Sequence, residues 1–192
     1  MKKSTKQKMG NVLFLVAIAL VLFTPLGFQV KVFMNKLMSY TPFATPSELD
    51  SDAQVNLKTY QWSLVNTEGE RLNFKEKEGK VVFINFWATW CPPCVAEMPD
   101  LQELYDSYGD RVSFLFVAND ELDRVTSFMD KKGYSLPVWF SKTRTPDELE
   151  HPSIPTTYII DKSGKIVLKE TGVADWNSKE LKNLLDRILK EE

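Results

Sequence analysis

The sequence of 192 residues predicts an α/β fold in which helices cover both faces of a mixed β-sheet. One observation is a series of short apolar runs that alternate with helical patterns from about residue 58 onward. Another is that the only two cysteines, Cys91 and Cys94, lie where one such run gives way to a helical pattern. The third is a hairpin pattern followed by an amphipathic helix near the end of the chain.

The first elements of this fold form a hairpin and a central strand. Strands are predicted at 58–64 and 71–74, on either side of the turn Asn66-Thr67-Glu68-Gly69. A charged turn at 76–80 leads into the apolar run 81–87. The length of that run is typical of a strand buried on both faces, so we expect it at the centre of the sheet.

A helix is predicted from 92 to 108, because apolar side chains recur there at spacings of three and four. These side chains are Val95, Met98, Leu101, Tyr105 and Tyr108. Pro99 should kink this helix, since it has no N–H to donate one turn back, and Gly109 should end it. The later elements follow in the order strand 112–118, helix 120–132, strand 138–140, polar loop 141–153, hairpin 156–160 with 165–169, and helix 177–190. Asn177 and Glu180 should form a capping box at the last helix.

The N-terminal part of the chain predicts a membrane anchor. Residues 1–47 hold six of the 24 basic residues and no Asp or Glu, whereas all 26 acidic residues lie beyond them. Residues 1–10 are a basic, cytoplasmic N-terminus, and 11–28 are apolar enough for a short transmembrane signal anchor. Because no small-x-small cleavage site follows, an uncleaved anchor is favoured over a cleaved signal. The rest of the chain carries a net charge of about −8 without a basic stripe, which argues against nucleic acid binding.

Residues 29–50 should form a juxtamembrane segment ahead of the domain at 51–192. Apolar residues at helical spacing favour an amphipathic helix over 29–40 at the membrane surface, or a tilted continuation of the span. They are Val30, Phe33, Met34, Leu37 and Met38. The stretch 41–51 contains Pro42 and Pro46 and is predicted as a linker.

The cysteine pair predicts redox chemistry. If a helix begins at Cys91, Pro92 and Pro93 fall in its first turn, where a missing N–H costs little. Cys91 then meets the positive end of the helix dipole, which favours a thiolate, and Cys94 lies one turn on. We expect Cys91 to attack a partner disulfide and the more buried Cys94 to resolve the mixed disulfide.

Other interpretations of the pair fit less well. A zinc site needs about four ligands, and beyond the pair the chain offers only His151 and carboxylates, so no metal is expected. A purely structural disulfide that closes so short a loop adds little stability in the loop-entropy picture. The redox-active disulfide is therefore expected to act without a separate cofactor.

Two motifs resemble one family. The stretch 86–94, FWATWCPPC, is similar to the thioredoxin active-site signature. With Glu97 and Pro99 after it, and with 153–161, SIPTTYIID, it resembles the membrane-anchored, extracytoplasmic thiol-disulfide oxidoreductases of the ResA/TlpA type. The resemblance covers roughly residue 57 to the C-terminus and implies a thioredoxin-like sandwich.

The resemblance also implies roles outside the cysteine pair. Pro155 is expected to be cis and to pack against the disulfide, although spacing alone favours a trans turn proline. Together with Pro155, the expected substrate contacts are Trp90, Pro92, Pro93, Ile154 and Thr156. Glu97 is expected in a cavity beside the cysteines, where it handles protons; the alternative is an exposed carboxylate favoured near a helix N-terminus. Thioredoxin itself has Asp where this chain has Asn85. Because Asn cannot titrate, position 85 cannot relay a proton, which favours Glu97 for that role.

The sequence thus predicts an extracytoplasmic thiol-disulfide oxidoreductase held by a single pass in the cell membrane. The Pro-Pro dipeptide supplies no His to stabilise the Cys91 thiolate, which favours a reductase. A reductase in an oxidising compartment needs electrons from across the membrane. The resemblance implies a membrane thiol transporter of the DsbD/CcdA kind as donor. As acceptor it implies oxidised apocytochrome c or another secreted disulfide protein.

Alternative function classes stay open at this stage. A disulfide oxidase or isomerase would use the same pair at a higher reduction potential. A thiol peroxidase of the peroxiredoxin type would show the motif Pro-x-x-x-Thr-x-x-Cys, which the sequence lacks. Copper-delivering relatives of this fold carry three residues between their cysteines, whereas this chain has two.

Overall fold

The computed structural model describes residues 5–191. Over this range the α-helices are α1 Thr5–Phe23, α2 Pro25–Ser39, α3 Pro92–Tyr108, α4 Leu122–Lys132 and α5 Lys179–Lys190. The strands over the same range are β1 Val55–Asn56, β2 Ser63–Asn66, β3 Arg71–Asn73, β4 Val82–Trp87, β5 Ser113–Ala118, β6 Val138–Ser141, β7 Thr156–Ile160 and β8 Lys165–Thr171.

These strands form one mixed sheet in the order β1-β8-β7-β4-β5-β6-β2-β3. The pairs β4–β5 and β5–β6 are parallel, and the other pairs are antiparallel. β4 lies between β5 and β7, and all six of its residues are buried. This confirms the prediction of a central strand that is buried on both faces.

The two faces of the sheet are covered in different ways. On one face, side chains of α3, α4 and α5 pack on Phe83 and its neighbours. On the other face, Ile84 belongs to a cluster with Trp62, Phe74 and Leu149, which come from loops and single-turn 3-10 helices. The sequence predicts helices on both faces, but within residues 5–191 no α-helix contributes to this second cluster. The crossovers β4–α3–β5 and β5–α4–β6 both lead to the next strand on the same side. Because such crossovers are almost always right-handed, both helices lie on the same face of the sheet.

Some predicted boundaries move in the structure. The strand expected at 58–64 begins only at Ser63, and the short β1 was not predicted. The residues before Ser63 pack rings instead of joining the ladder, since Tyr60 and Trp62 each lie 5.3 Å from the ring centroid of Phe74.

Helix ends test the predicted caps. α3 has the predicted bounds and contains Pro99, and Gly109 is its C-cap. The capping box predicted for α5 is wrong: Ser178 is the N-cap, and its Oγ accepts a hydrogen bond from Leu181 N at 3.4 Å. Asn and Ser are nearly equal as N-caps, so the adjacent pair Asn177-Ser178 leaves this choice to the surrounding structure.

The N-terminal helices differ from the single span expected at 11–28. Within residues 5–191, no one helix is long and apolar enough to cross a bilayer, and only the pair Gln7–Leu20 with Pro25–Ser39, bent by 78°, meets both requirements together. The break occurs at Thr24, whose hydroxyl accepts from Gly27 N at 3.2 Å and caps α2. Pro25 at the first helical position suits this new start. Residues 1–4 of the predicted cytoplasmic segment lie outside the described residues.

α2 packs against α3 with its more polar face. Ser39 is buried there, and Lys36 Nζ lies 2.5 Å from Asp100 Oδ1. The predicted apolar residues of α2 point outward and are exposed: Val30, Phe33, Met34, Leu37 and Met38. The stretch after α2 bonds to the domain, since Ala44 O accepts from Asp175 N.

Candidate active site

The two cysteines form a disulfide at the start of α3, with an S–S distance of 2.06 Å. Both residues are buried, at 3% exposure for Cys91 and 1% for Cys94. The sequence predicts a clearly more buried Cys94, but the two exposures are nearly equal. Their hydrogen bonding does separate them. Cys91 is the N-cap of α3, and its Sγ accepts a hydrogen bond from the backbone N–H of Cys94 at 3.2 Å.

The first turn of α3 concentrates this contact on one sulfur. Pro92 and Pro93 occupy the first helical positions and have no N–H, so the N–H of Cys94 is the first that the helix can present. A thiolate at Cys91 would lie at the positive end of the helix and accept this same bond, which lowers its free energy relative to the thiol. The arrangement favours Cys91 as the attacking sulfur.

A cis-proline loop covers the disulfide. The Ile154–Pro155 bond is cis, which confirms the expectation drawn from the family resemblance. The Ile154 carbonyl oxygen lies 3.7 Å from Cys91 Sγ. The loop is held by Gly172 N, which donates to Pro155 O at 3.0 Å, and by Thr156 Oγ1, which donates to Ser153 O at 2.8 Å.

The expected substrate contacts divide into surface and buried residues. Trp90 is 56% exposed beside Cys91. Pro92 and Pro93, which directly follow Cys91, and Ile154, whose carbonyl lies against its sulfur, are half-buried. Thr156 is fully buried, so its side chain positions the loop and does not face solvent. An exposed apolar rim around an attacking sulfur suits an extended polypeptide.

Glu97 lies one turn after Cys94 on α3 and is completely buried. Its Oε1 accepts from Ala174 N at 2.7 Å, while Oε2 has no hydrogen-bond partner among the described residues. Burial raises the pKa of Glu97 well above its ordinary value, and the nearby charges of Asp100 and Glu170 raise it further. The Trp176 indole favours the ionised form from nearby, but it is outside hydrogen-bonding geometry. The surface alternative for Glu97 does not fit this position.

Asn85 lies on β4, on the same side of the sheet as α3. Its Nδ2 donates to Thr157 Oγ1 at 2.8 Å, and its Oδ1 has no partner among the described residues. The amide does not titrate, whereas Glu97, one turn after Cys94, is a buried group whose proton can be exchanged.

Asp120 is a site residue that the sequence analysis missed. It follows β5, and its Oδ2 accepts from both the backbone N–H and the hydroxyl of Thr89, two residues before Cys91. Burial opposes ionisation, but the bonds from Thr89 and Glu121 N and the charge of Arg124 together hold the pKa of Asp120 below its usual range. Its position in the sequence could have indicated this role. Asp120 follows β5 and the cysteines follow β4, and the carboxyl ends of neighbouring parallel strands meet at one edge of the sheet.

His151 does not reach the sulfurs. Its ring stacks on Phe86 with centroids 3.5 Å apart, and Nδ1 lies 3.0 Å from Leu149 O. These contacts give it a place in packing the loop before Pro155. Over residues 5–191, no group of three or more His, Cys, Asp or Glu side chains is arranged to hold a metal ion.

Comparisons with known proteins identify relatives that match most of this chain. The model of the Redoxin family matches residues 50–185. The thiol-disulfide oxidoreductase ResA of Bacillus thuringiensis (strain Al Hakam) is 31% identical over 184 residues, covering 94% of this chain and 98% of ResA. The thioredoxin-like protein YneN of Bacillus subtilis (strain 168) is 31% identical over 157 residues, covering 78% of this chain and 91% of YneN.

Solved structures show the same fold. A Chlorobium tepidum protein described as the thiol:disulfide interchange protein DsbE superposes with a TM-score of 0.60 at 24% identity. The match covers 70% of this chain and 98% of that one. The thioredoxin-like fold expected from the two motifs is thereby confirmed.

Proposed function

Because this chain belongs to the Redoxin family and is a thioredoxin-like protein thiol-disulfide oxidoreductase, we propose that it reduces disulfides of secreted proteins while tethered outside the cytoplasmic membrane. The observation that carries the proposal is the Cys91–Cys94 disulfide at the start of α3, against cis-Pro155 and under an exposed apolar rim. The rim is open to a polypeptide, and the buried carboxyl of Glu97 supplies a group that can take up a proton.

The reaction runs in two exchanges. In the reduced protein, the Cys91 thiolate attacks one sulfur of a substrate disulfide, forming a mixed disulfide and releasing the other sulfur as a thiolate. Cys94 then gives its proton to Glu97 and attacks Cys91 Sγ. This forms the Cys91–Cys94 disulfide and releases the second substrate thiolate, so two electrons pass from the protein to the substrate.

The return to the dithiol requires a reductant. The same exchange in reverse passes two electrons from a donor dithiol to the Cys91–Cys94 disulfide. We propose a membrane thiol transporter of the DsbD/CcdA kind as this donor. Oxidised apocytochrome c is the proposed acceptor, because its C-x-x-C-H haem motif can form a disulfide that must be reduced before haem attachment.

The N-terminal segment supports the membrane tether. Its apolar side chains point outward from α1 and are exposed: Val12, Leu13, Phe14, Leu15, Val16, Ile18 and Leu20. A continuous apolar surface of this kind is unfavourable in water and favourable in lipid. Lysines precede it, which supports a cytoplasmic N-terminus and a domain on the outer face.

The test traps the substrate. Cys94→Ala removes the resolving sulfur, so Cys91 should retain its partner as a mixed disulfide in membranes of the native host. The trapped protein is identified by mass spectrometry after non-reducing electrophoresis, with Cys91→Ala/Cys94→Ala as the matched control. If Cys94→Ala traps nothing beyond that control, the proposed two-step exchange is wrong.

A reduction potential separates the proposed reductase from an oxidase or isomerase. We expect the Cys91–Cys94 couple to equilibrate with thioredoxin-like buffers near −270 mV and not with strong oxidants near −120 mV. The absence of a His between the cysteines supports this direction, because no imidazolium stabilises the reduced thiolate. A potential near the oxidising end would replace the reductase by a disulfide oxidase.

A further inference from the structure

Two buried carboxylates lie one turn apart on the same face of α3. Glu97 is fully buried and Asp100 is 6% exposed. Residues three apart on a helix are neighbours, and each of these charges disfavours ionisation of the other. Asp100 has a cationic partner, whereas no ion pair to Glu97 occurs within residues 5–191. The ionisation of the two carboxyls is therefore linked.

The cationic partner of Asp100 comes from outside the sheet domain. Lys36 lies near the end of α2, and its Nζ is 2.5 Å from Asp100 Oδ1. The ammonium group also lies over the ring of Tyr40, 5.0 Å from the centroid. Both charged side chains are largely withdrawn from water, since the side-chain atoms alone are 22% exposed in Lys36 and 8% exposed in Asp100. Solvent therefore screens this pair less than a surface pair.

The chain after α2 makes a second contact near Glu97. Ala44 O accepts a hydrogen bond from Asp175 N at 2.8 Å. The preceding residue, Ala174, donates its own N–H to Glu97 Oε1 at 2.7 Å. Of these two consecutive backbone N–H groups, that of Asp175 therefore binds the N-terminal segment and that of Ala174 binds the buried carboxyl. Movement of the segment at Ala44 would be transmitted directly to the donor of Glu97.

We propose that residues 36–49, here called the juxtamembrane arm, position the Glu97 carboxyl for proton exchange with Cys94, and that Lys36 is a positioning residue acting through Asp100. This inference rests on the proposed proton-handling role of Glu97. Arm residues beyond Ala44 also bond to the domain, since Leu49 N donates to Val167 O at 2.8 Å and Glu48 pairs with Arg187. The arm is thus bonded to the domain along most of its length.

The charged groups around Asp100 and Glu97 determine whether loss of Lys36 raises or lowers the pKa of these carboxyls. Burial raises the pKa of Asp100, and Lys36 opposes this rise, while Asp175 and Glu103 add to it. Glu97 faces Asp100 on its own helix, Glu170 on β8 and the Trp176 indole. Tyr134 lies close enough to Lys36 and Asp100 for both charges to influence the pKa of its hydroxyl. Removing the ammonium group of Lys36 leaves the acidic set without its cation, so the set should take up a proton at higher pH.

The test measures the pH profile of one step in the full-length protein, reconstituted in lipid nanodiscs. A disulfide-containing reporter peptide is loaded on Cys91, and its release by Cys94 is followed in single turnovers from pH 5 to 9. Lys36→Gln should move the midpoint of the profile upward by about one pH unit. Asp100→Asn should move it downward, because it removes the anion beside Glu97. The double variant should lie between them.

Two controls separate positioning from folding and from net charge. Lys36→Arg keeps the cation and should retain the wild-type midpoint. Lys142→Gln removes a charge from an exposed position beyond β6 and should also leave it unchanged. If Lys36→Gln fails to fold, as judged by circular dichroism, Asp100→Asn and the double variant decide the matter.

The outcomes distinguish this inference from the proposed function. Midpoints of Lys36→Gln and Asp100→Asn that coincide with the wild type, while release proceeds normally, overturn the role of the arm and leave the oxidoreductase intact. A wild-type protein that never releases the peptide from Cys91 overturns the exchange mechanism itself.

Discussion

Two buried carboxylates beside the redox pair have opposite electrostatics. The carboxylate of Asp120 is almost fully buried, yet its pKa is lowered, because it accepts hydrogen bonds from Thr89 and Glu121 N and lies near Arg124. The carboxyl of Glu97 lies deeper in the protein, receives one N–H and faces further acidic groups, so its pKa is raised. Depth of burial, hydrogen-bond donors and neighbouring charges together therefore decide ionisation in this site.

The difference separates a structural group from one that can exchange a proton. A carboxylate with several donors and a cation stays ionised and fixes the loop that carries Trp90 and Cys91. A carboxyl with one donor and no cation has a raised pKa and keeps its proton to higher pH, which suits it to proton transfer. Four predictions follow from this contrast, in order of decreasing effect.

Glu97→Gln should produce the largest change. The amide keeps an acceptor for Ala174 N but cannot take the proton of Cys94, so release of substrate from Cys91 should slow by about 100-fold at neutral pH. Rapid-quench kinetics with a preformed mixed disulfide measure this step. A rate within twofold of the wild type would remove Glu97 from the mechanism.

Asp120→Ala should act on stability instead. The change leaves the Thr89 N–H and hydroxyl without their charged acceptor and should lower the free energy of unfolding by about 2 kcal/mol. Urea denaturation of the oxidised protein measures it. The pH midpoint of substrate release should stay where the wild type has it, and a shift there would mean that Asp120 also influences the proton.

The two carboxyls should give opposite dependences of stability on pH. Folded Glu97 retains a proton that the unfolded chain loses near pH 4.5, so its contribution is complete below that pH and is lost as the pH rises towards the raised folded value. Relative to Glu97→Gln, the wild type should lose about 1.4 kcal/mol per pH unit in that window. Asp120 gives the reverse sign, since its contribution is present above pH 3.8 and is lost as the pH falls through its lowered value. Thermal and urea unfolding between pH 3 and 8 compare the variants, and parallel curves for wild type and Glu97→Gln contradict the raised pKa.

Thr89→Val should have the smallest effect. Valine keeps the shape and the backbone N–H bond to Asp120 but removes the hydroxyl donor, which should cost about 1 kcal/mol of stability. Thr67→Val is the matched control: its hydroxyl donates to the exposed carboxylate of Glu68 in the turn between β2 and β3, where water can replace the bond, so stability should change little. Equal stabilities for the two variants would show that the hydroxyl bond to Asp120 contributes nothing.

Local patterns were sufficient for the centre of the site. The apolar run of β4 and the helical spacing of α3 located the strand–helix junction, and the cysteines lay between them. The cis state of Pro155 was expected only through the resemblance, because an Ile-Pro pair by itself favours trans. These features depend on residues close together in the chain, where spacing carries the information.

Contacts between distant parts of the chain were not predictable in this way. Glu97 binds Ala174, 77 residues away, and Asp100 binds Lys36, 64 residues away. Neither partner has a local pattern that indicates the pairing. The same applies to the second face of the sheet, where Trp62, Phe74 and Leu149 replace the expected helix. Such contacts depend on how all the strands and helices are arranged. The sequence pattern predicted the order of these elements but not which distant residues touch.

The bonds of Ala44 and Leu49 to the domain have a geometric consequence. With both attached, too few free residues remain between α2 and the sheet for the domain to swivel, so Cys91 faces one fixed direction relative to α2. In the proposed membrane-tethered protein, a partner confined to the same membrane would need to search for Cys91 only in two dimensions.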